Sequence, residues 1–161
     1  MVYRIGYLKD VLGNNYLGLK FTENELSPFL SDLYEIVDND NHYDTLTENQ
    51  KRRDRRDGHD YHSTLISVMD YNKLSQQMGA EFQKRVDIMF SLEITDLILK
   101  GVGTAERAGN QTYFVVLESP TLDECRSALG LPKIDLHITL GFNRKDVFGV
   151  RKDQVIKKKA D

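Results

Sequence analysis

Two short segments of this chain share one pattern: a histidine, any residue, a threonine and an apolar residue. Residues 62–65 read His-Ser-Thr-Leu and residues 137–140 read His-Ile-Thr-Leu. The chain has only four histidines, and chance would place two of them in this pattern in about one such chain in a hundred. The repetition therefore singles out two histidines and two threonines as candidates for a common task.

Both segments lie in β-like runs, and alternate residues of a strand face the same side. His62 and Thr64 then share one face of a strand, and His137 and Thr139 share one face of another. A neutral imidazole can take a proton from an attacking water or hydroxyl, and a protonated imidazole can give one to a leaving oxygen. Threonine hydroxyls can donate hydrogen bonds to phosphate oxygens on which charge develops. The sequence therefore predicts phosphoryl chemistry without a metal or other cofactor, in which the histidines are catalytic and the threonines bind phosphate.

A metal-dependent hydrolase is the competing interpretation. Asp60 and Asp135 each precede a motif histidine by two residues, so each carboxylate would share a strand face with an imidazole. However, the chain has no His-Glu-x-x-His segment and no cysteine cluster, and a metal site would leave the paired threonines unexplained. We therefore expect no metal, and interpret the two aspartates as groups that orient the imidazoles or end the strands.

Composition is that of an ordinary globular protein. The 161 residues are 40% apolar and 29% charged, which fits a single domain over residues 1–161. No segment has the apolar length of a membrane span and no signal peptide opens the chain, so we expect a cytoplasmic protein without membrane contacts. The single cysteine, Cys125, agrees with a reducing compartment and is expected in the core.

Charge is distributed unevenly along the chain. The net charge of −3 argues against broad binding to nucleic-acid duplexes. Residues 51–56, with five cations and one anion, precede the first motif and form either a solvated loop or a guide for an anionic substrate. The basic tail, residues 155–161, is expected to be frayed.

Hydrophobic periodicity and turn residues predict strands and helices in alternation. The predicted elements are a strand at 16–21, a helix capped by Ser27 with Pro28 in its first turn, a polar loop at 38–59, a motif strand at 60–69, a helix at 73–86, a strand at 92–100 ended by Gly101 and Gly103, a turn at 107–110, a strand at 113–117, a helix opened by a capping box at 121–124 and closed at Gly130, and a motif strand at 134–142. The first helix is expected to bury Leu30, Leu33, Tyr34 and Val37. Each half of the chain then ends in a motif strand, which indicates an α+β fold of two similar lobes whose motifs meet at the seam.

Two His-x-Thr motifs about half a chain apart resemble the 2H phosphoesterase superfamily. The sequence around the second motif, at residues 135–142 and 145–153, resembles the Swiss-army-knife RNA-repair-like subgroup, as do residues 100–103 and 109–114. The resemblance implies a bilobal fold with two antiparallel-sheet lobes, helices outside, and the two motif strands at a central cleft. The chain departs from many members before the first motif, where the polar loop replaces a short segment that contains proline.

The resemblance implies cyclic phosphodiesterase, RNA 2′,3′-ligase or related phosphoester chemistry on RNA ends or nucleotides. We expect a monomeric phosphodiesterase that hydrolyses a cyclic phosphate or an RNA or nucleotide phosphodiester, as in RNA end processing or repair. Two alternatives remain open: degradation of a cyclic nucleotide signal, as in phage counter-defence, and a non-catalytic module that binds RNA or nucleotides.

Further residues near the motifs are candidates for contact with the substrate. Aromatic side chains can stack on nucleobases, and cations can hold phosphate. The candidates are Tyr61, His59, Tyr113, Phe142, Phe148 and Lys152, with Arg107 and Arg144 as further possible phosphate ligands.

Overall fold

The computed structural model describes residues 1–39, 53, 60–142, 146–148 and 150–158. Within these residues it has four helices and seven strands. In chain order they are β1 (Gly6–Lys9), β2 (Asn15–Phe21), α1 (Glu23–Asn39), β3 (Tyr61–Ile66), α2 (Val68–Met78), α3 (Ala80–Ser91), β4 (Ile98–Arg107), β5 (Asn110–Glu118), α4 (Pro120–Ala128), β6 (His137–Phe142) and β7 (Lys157–Lys158).

The strands form two antiparallel sheets, one in the order β1-β2-β3 and the other in the order β6-β5-β4-β7. Each sheet is built by a hairpin, then a helix, then a third strand that joins the hairpin's second strand. The third strands, β3 and β6, carry the two motifs and contact each other across the seam. This confirms the α+β class and the two similar lobes that the sequence predicts.

The helices cross the seam. Helix α1, from the first half of the chain, packs against β4, and α4, from the second half, packs against β3. Arg126 of α4 is buried and donates from Nη1 to the Leu65 carbonyl of β3 at 2.7 Å. Each lobe is therefore held to the other by a helix as well as by the contact between the edge strands β3 and β6.

Both motif strands contain a β-bulge immediately after the threonine. In the first sheet Gly18 pairs with Thr64 but Leu17 pairs with Ile66, so Leu65 is an extra residue. In the second sheet the same shift leaves Leu140 as the extra residue. Such an insertion kinks the strand and leaves the added residue outside the ladder. The Arg126 guanidinium satisfies the carbonyl of Leu65, and both bulge leucines are buried, which explains the apolar fourth position of the motif.

A continuous apolar core joins the two lobes. It includes Leu17, Leu19 and Phe21 of β2. Residues 17–19 of this strand are all buried, and only the exposed Lys20, before Phe21, interrupts the buried run. Strand β5 is buried along most of its length, as expected for the apolar run at 113–117. Cys125 is buried, as predicted, and its burial raises the pKa of the thiol.

The beginning of α1 differs from the prediction. The helix starts at Glu23, and a capping box forms in which Glu25 N donates to Thr22 Oγ1 while Thr22 N donates to Glu25 Oε1. Pro28 therefore lies inside the helix, where it removes one backbone hydrogen bond, but it is exposed there. The helix buries Leu26, Phe29 and Leu33, with Leu30 partly buried, whereas the predicted Tyr34 is largely exposed and the side chain of Val37 lies outside the described residues.

The first motif strand is shorter than predicted because a helix begins at Val68. Ser67 is its N-cap, and the Ser67 hydroxyl accepts a hydrogen bond from Asp70 N. The predicted helix at 73–86 is two helices, α2 and α3, because Gly79 adopts a φ of 56° between them. That positive φ suits glycine and ends the first helix.

In the second half of the chain, the structure differs from the prediction in two further details. Strand β4 continues through Gly101 and Gly103 because these glycines lie within the sheet, where a side chain on Gly103 would collide with Gln154 and Phe114. Helix α4 is capped by Ser119, not by Thr121, because Asp96 engages the hydroxyl and amide of Thr121. The hairpin turn predicted at 107–110 is confirmed, with positive φ at both of its central residues.

Among the described residues, no helix combines the length and the apolar character that crossing a membrane requires.

Candidate active site

His62 and Thr64 lie on one face of β3, and both side chains are partly accessible. Ser63, between them, is buried on the opposite face. The ring of Tyr16, from β2, packs edge-on against the imidazole with centroids 5.9 Å apart. The Tyr16 hydroxyl lies 3.3 Å from His62 Nε2. The hydroxyl therefore holds the imidazole in place through a hydrogen bond.

His137 begins β6 and is held differently. Its Nδ1 lies 2.8 Å from the backbone carbonyl of Asp135. A carbonyl oxygen can only accept, so Nδ1 carries the proton and Nε2 is left with a lone pair when the ring is neutral. The ring of Phe114, from the neighbouring strand, packs edge-on against the imidazole with centroids 5.8 Å apart. His137 is thus fixed in the tautomer that presents Nε2 as a proton acceptor.

Burial of the His137 imidazole and the positive charge of Lys152 lower the pKa of His137 from 6.5 to about 4. The charge of His62 contributes in the same direction, whereas the Asp135 carbonyl and the Asp146 carboxylate oppose the shift. His137 is therefore neutral at physiological pH. Strands β3 and β6, which carry His62 and His137, are in contact across the seam.

Thr139 shares a buried network with an ion pair. Its hydroxyl donates to Asp146 Oδ2 over 3.5 Å, and Lys152 Nζ lies 3.4 Å from Asp146 Oδ1. The side chains of Lys152 and Asp146 are only 7% and 4% exposed. Burial of an ion pair is costly unless the geometry and further hydrogen bonds compensate. Here the Val147 amide also donates to Asp146, at 2.8 Å.

Asp135 ties the segment after β6 back to the start of that strand. Its carboxylate accepts hydrogen bonds from Arg151 Nε at 2.6 Å and from the Lys152 backbone amide at 3.1 Å. The Arg151 guanidinium lowers the pKa of Asp135. Asp135 therefore acts on the site in two ways, because its carbonyl orients His137 while its carboxylate positions Lys152. Asp60, its counterpart before the first motif, accepts a hydrogen bond at its carbonyl from Arg53 Nη1 at 2.8 Å.

The remaining candidates fall into four groups. The first group, Tyr61, Tyr113 and Phe142, is buried in the protein, so these rings have no exposed face on which a base could stack. Phe148 is 70% exposed, and Lys152 Nζ lies 5.5 Å from its ring centroid. His59 and Arg144 lie outside the described residues. Arg107 donates from Nη1 to the Phe148 carbonyl at 3.1 Å and so supports that loop.

Arg53 belongs to the basic run before the first motif, and the other residues of that run lie outside the described part of the chain. The residue is 1% exposed, and its guanidinium stacks on the Tyr61 ring, 3.9 Å from the centroid. A residue this deeply buried is neither a solvated loop residue nor an exposed guide for a polyanionic substrate. Arg53 instead packs against the first residue of the strand that carries His62.

Three residues at this site were not recognised as functional from the sequence. Tyr16 reaches His62 from the adjacent strand, Asp146 pairs with Lys152, and Lys20 stands opposite His62 in the β2–β3 register with an exposed side chain. Tyr16 and Lys20 carry no signal beyond lying in a predicted strand. Asp146 has a weak one, because it lies in the segment after the second motif that carries the family resemblance.

Other features lie apart from this site. A surface pocket of about 900 Å³ is bordered by Tyr3, Glu25, Leu97, Lys100 and Asp153, and neither motif histidine lines it. Within the described ranges there is no group of three or more His, Cys, Asp or Glu residues arranged to hold a metal ion together.

A family model described as Swiss Army Knife, 2H phosphoesterase domain, matches residues 26–148 of the chain. The match spans well over half of the 161 residues and includes both motifs. No curated protein and no solved structure gives a significant match to the chain. The paired His-x-Thr strands at the seam of two similar lobes agree with this family match, and the chain belongs to the Swiss Army Knife family of 2H phosphoesterase domains.

Proposed function

We propose that this protein is a metal-independent phosphodiesterase that hydrolyses a cyclic phosphate or a nucleotide phosphodiester by acid–base catalysis between His62 and His137. Membership of the family supports phosphoester hydrolysis in general. The observation that carries the proposal is the contact between β3 and β6, which brings two motifs from opposite halves of the chain to one seam.

His137 is the general base in this scheme, and His62 is the general acid. The hydrogen bond from His137 Nδ1 to the Asp135 carbonyl leaves Nε2 as the acceptor, and the lowered pKa keeps that ring neutral. Water attacks phosphorus while His137 Nε2 takes its proton. The bond from phosphorus to the leaving oxygen breaks, and that oxygen receives a proton from His62. Thr64 donates to a non-bridging oxygen, where negative charge grows in the transition state.

The direct test is hydrolysis in the presence of excess EDTA. The substrates are 2′,3′-cyclic mononucleotides, cyclic dinucleotides, cyclic oligonucleotides and short RNAs, with products identified by mass spectrometry. We expect turnover of at least one class, with the same rate after chelation. A rate that disappears with EDTA and returns with added metal would disprove the metal-independent mechanism. Selective cleavage of 3′,5′-cyclic substrates would favour degradation of a nucleotide signal over RNA end processing.

Tyr16→Phe tests the hydrogen bond to His62. The variant keeps the edge-on ring contact and removes only the hydroxyl. A hydrogen bond of this kind contributes about 0.5–1.5 kcal/mol, so we expect kcat to fall about 2- to 12-fold. KM should change little, because the hydroxyl contacts the imidazole and acts on the substrate through it.

Tyr7→Phe is the matched control for this variant. The Tyr7 hydroxyl hydrogen-bonds with Gln83, away from the motifs, and its removal should leave kcat unchanged. An equal effect of the two substitutions, or an unchanged kcat in Tyr16→Phe, would show that the hydroxyl does not position His62 for the reaction.

A further inference from the structure

The buried ion pair between Lys152 and Asp146 has a feature that phosphate binding alone does not require. A lysine that only binds phosphate needs no carboxylate beside it, since the acid attracts the same ammonium and repels the anion. Yet Asp146 lies within hydrogen-bond reach of both Lys152 and Thr139, and nearly all of its surface is covered. The acid is therefore buried next to the motif threonine.

Among the described residues, few charged side chains lie around the two threonines. Lys152 and Asp146 compensate each other, and His137 is neutral because of its burial. His62 contributes one positive charge when it is protonated as the acid. Lys20, opposite His62 on the neighbouring strand, is exposed, so water and salt screen its charge. The net charge that these groups present to a bound phosphate is therefore close to +1, and without Asp146 it would be close to +2.

A phosphodiester carries one negative charge, whereas a phosphomonoester carries nearly two at neutral pH because its second pKa is about 6. A site of net charge +1 balances the single charge of the phosphodiester, but it leaves one charge of the phosphomonoester uncompensated. Burial makes the difference consequential, because a charge that leaves water without an opposite charge to compensate it carries a large desolvation cost.

We propose that Asp146 makes this site selective for the monoanion of a phosphodiester over the dianion of a phosphomonoester. The proposal rests on the proposed function and deepens it. Hydrolysis of a diester converts the bound monoanion into a monoester, which gains a second charge as it loses a proton. Asp146 then disfavours the product that the reaction has just formed, and so favours its release.

The test compares two probes that differ by one charge. One is 2′-deoxyadenosine 3′-monophosphate, a dianion at pH 7.5, and the other is 2′-deoxyadenosine 3′-methylphosphonate, in which a methyl group replaces one phosphate oxygen. Isothermal titration of the full chain in EDTA measures both dissociation constants. We expect the wild type to bind the methylphosphonate more tightly, and Asp146→Asn to shift the ratio toward the monophosphate by about tenfold or more.

Asp153→Asn is the matched control. Asp153 lies in the same segment and pairs with the exposed Arg151, so its neutralisation changes the net charge by the same amount without altering the buried pair. We expect the ratio in this variant to stay at the wild-type value. Thermal melting establishes that each variant is folded at the temperature of the titration.

Three outcomes would contradict the proposal. Tighter binding of the monophosphate by the wild type would overturn it, and this comparison stands even if Asp146→Asn fails to fold. An unchanged ratio in a folded Asp146→Asn would overturn it while leaving phosphodiester hydrolysis intact. If neither probe binds and no diester is hydrolysed, the proposed function fails together with the selectivity.

Discussion

Replacing either His62 or His137 by alanine is expected to lower kcat by about a hundredfold to ten-thousandfold, the usual contribution of one acid–base group. In His137→Ala no acceptor remains beside the Asp135 carbonyl to take the proton of the attacking water. In His62→Ala the leaving oxygen departs without a proton. Because the two groups serve one displacement, the double variant should be little worse than the poorer single variant.

Initial rates and thermal melting of each variant separate lost chemistry from lost folding. His42→Ala is the control, since His42 lies outside both motifs, and its rate should equal that of the wild type. Near-wild-type turnover in either motif variant would disprove the two-histidine scheme.

The roles of the histidines also predict the pH profile. His137 must be unprotonated to act as the base, and its pKa is lowered to about 4. As pH rises through 4 the ring loses its proton, so kcat/KM should increase there and reach a plateau well below 6.5. An acidic limb centred near 6.5 would mean that His137 is not the base or that its burial is lost in solution.

Lys152→Met is expected to lower the free energy of unfolding by about 3–5 kcal/mol, the usual effect of removing one partner of a buried ion pair. The methionine fills similar volume, so the loss arises from Asp146, whose carboxylate would remain buried without its cation. The double variant Lys152→Met/Asp146→Leu removes both charges and should regain most of the lost stability. Urea denaturation of the single and double variants measures the coupling between the two residues.

Lys100→Met is the matched control for this stability prediction. Lys100 pairs with Glu118 at 2.9 Å, but the two side chains are 41% and 58% exposed. An exposed pair of this kind contributes about 0–1 kcal/mol. If Lys152→Met costs no more than Lys100→Met, the Lys152–Asp146 pair is hydrated in solution and its role in the charge of the site must be abandoned.

The Lys152→Met variant also tests the effect of the Lys152 charge on the general base. The Lys152 charge helps to lower the pKa of His137, so its removal should raise that pKa and move the acidic limb of the pH profile upward.

Local pattern in the sequence determined the parts of the site that repeat. The period of two along a strand places His62 with Thr64 and His137 with Thr139, whatever surrounds them. Apolar runs and turn residues were sufficient for most strands and for the hairpin turn at 107–110. The start of α1 was harder to predict, because both Thr22 and Ser27 can act as its N-cap. The packing of Leu26 and Phe29 favours the earlier start.

Only the tertiary structure decided how the two motifs differ. The sequence presents them as equivalent, but Tyr16 reaches His62 from the next strand, whereas His137 is partly buried beside Phe114 and the Asp135 carbonyl and feels the charge of Lys152. These contacts depend on strand register and on where the segment after β6 folds back. Desolvation depends on everything packed around a group, so neither the lowered pKa of His137 nor the burial of Asp146 can be read from a motif of four residues.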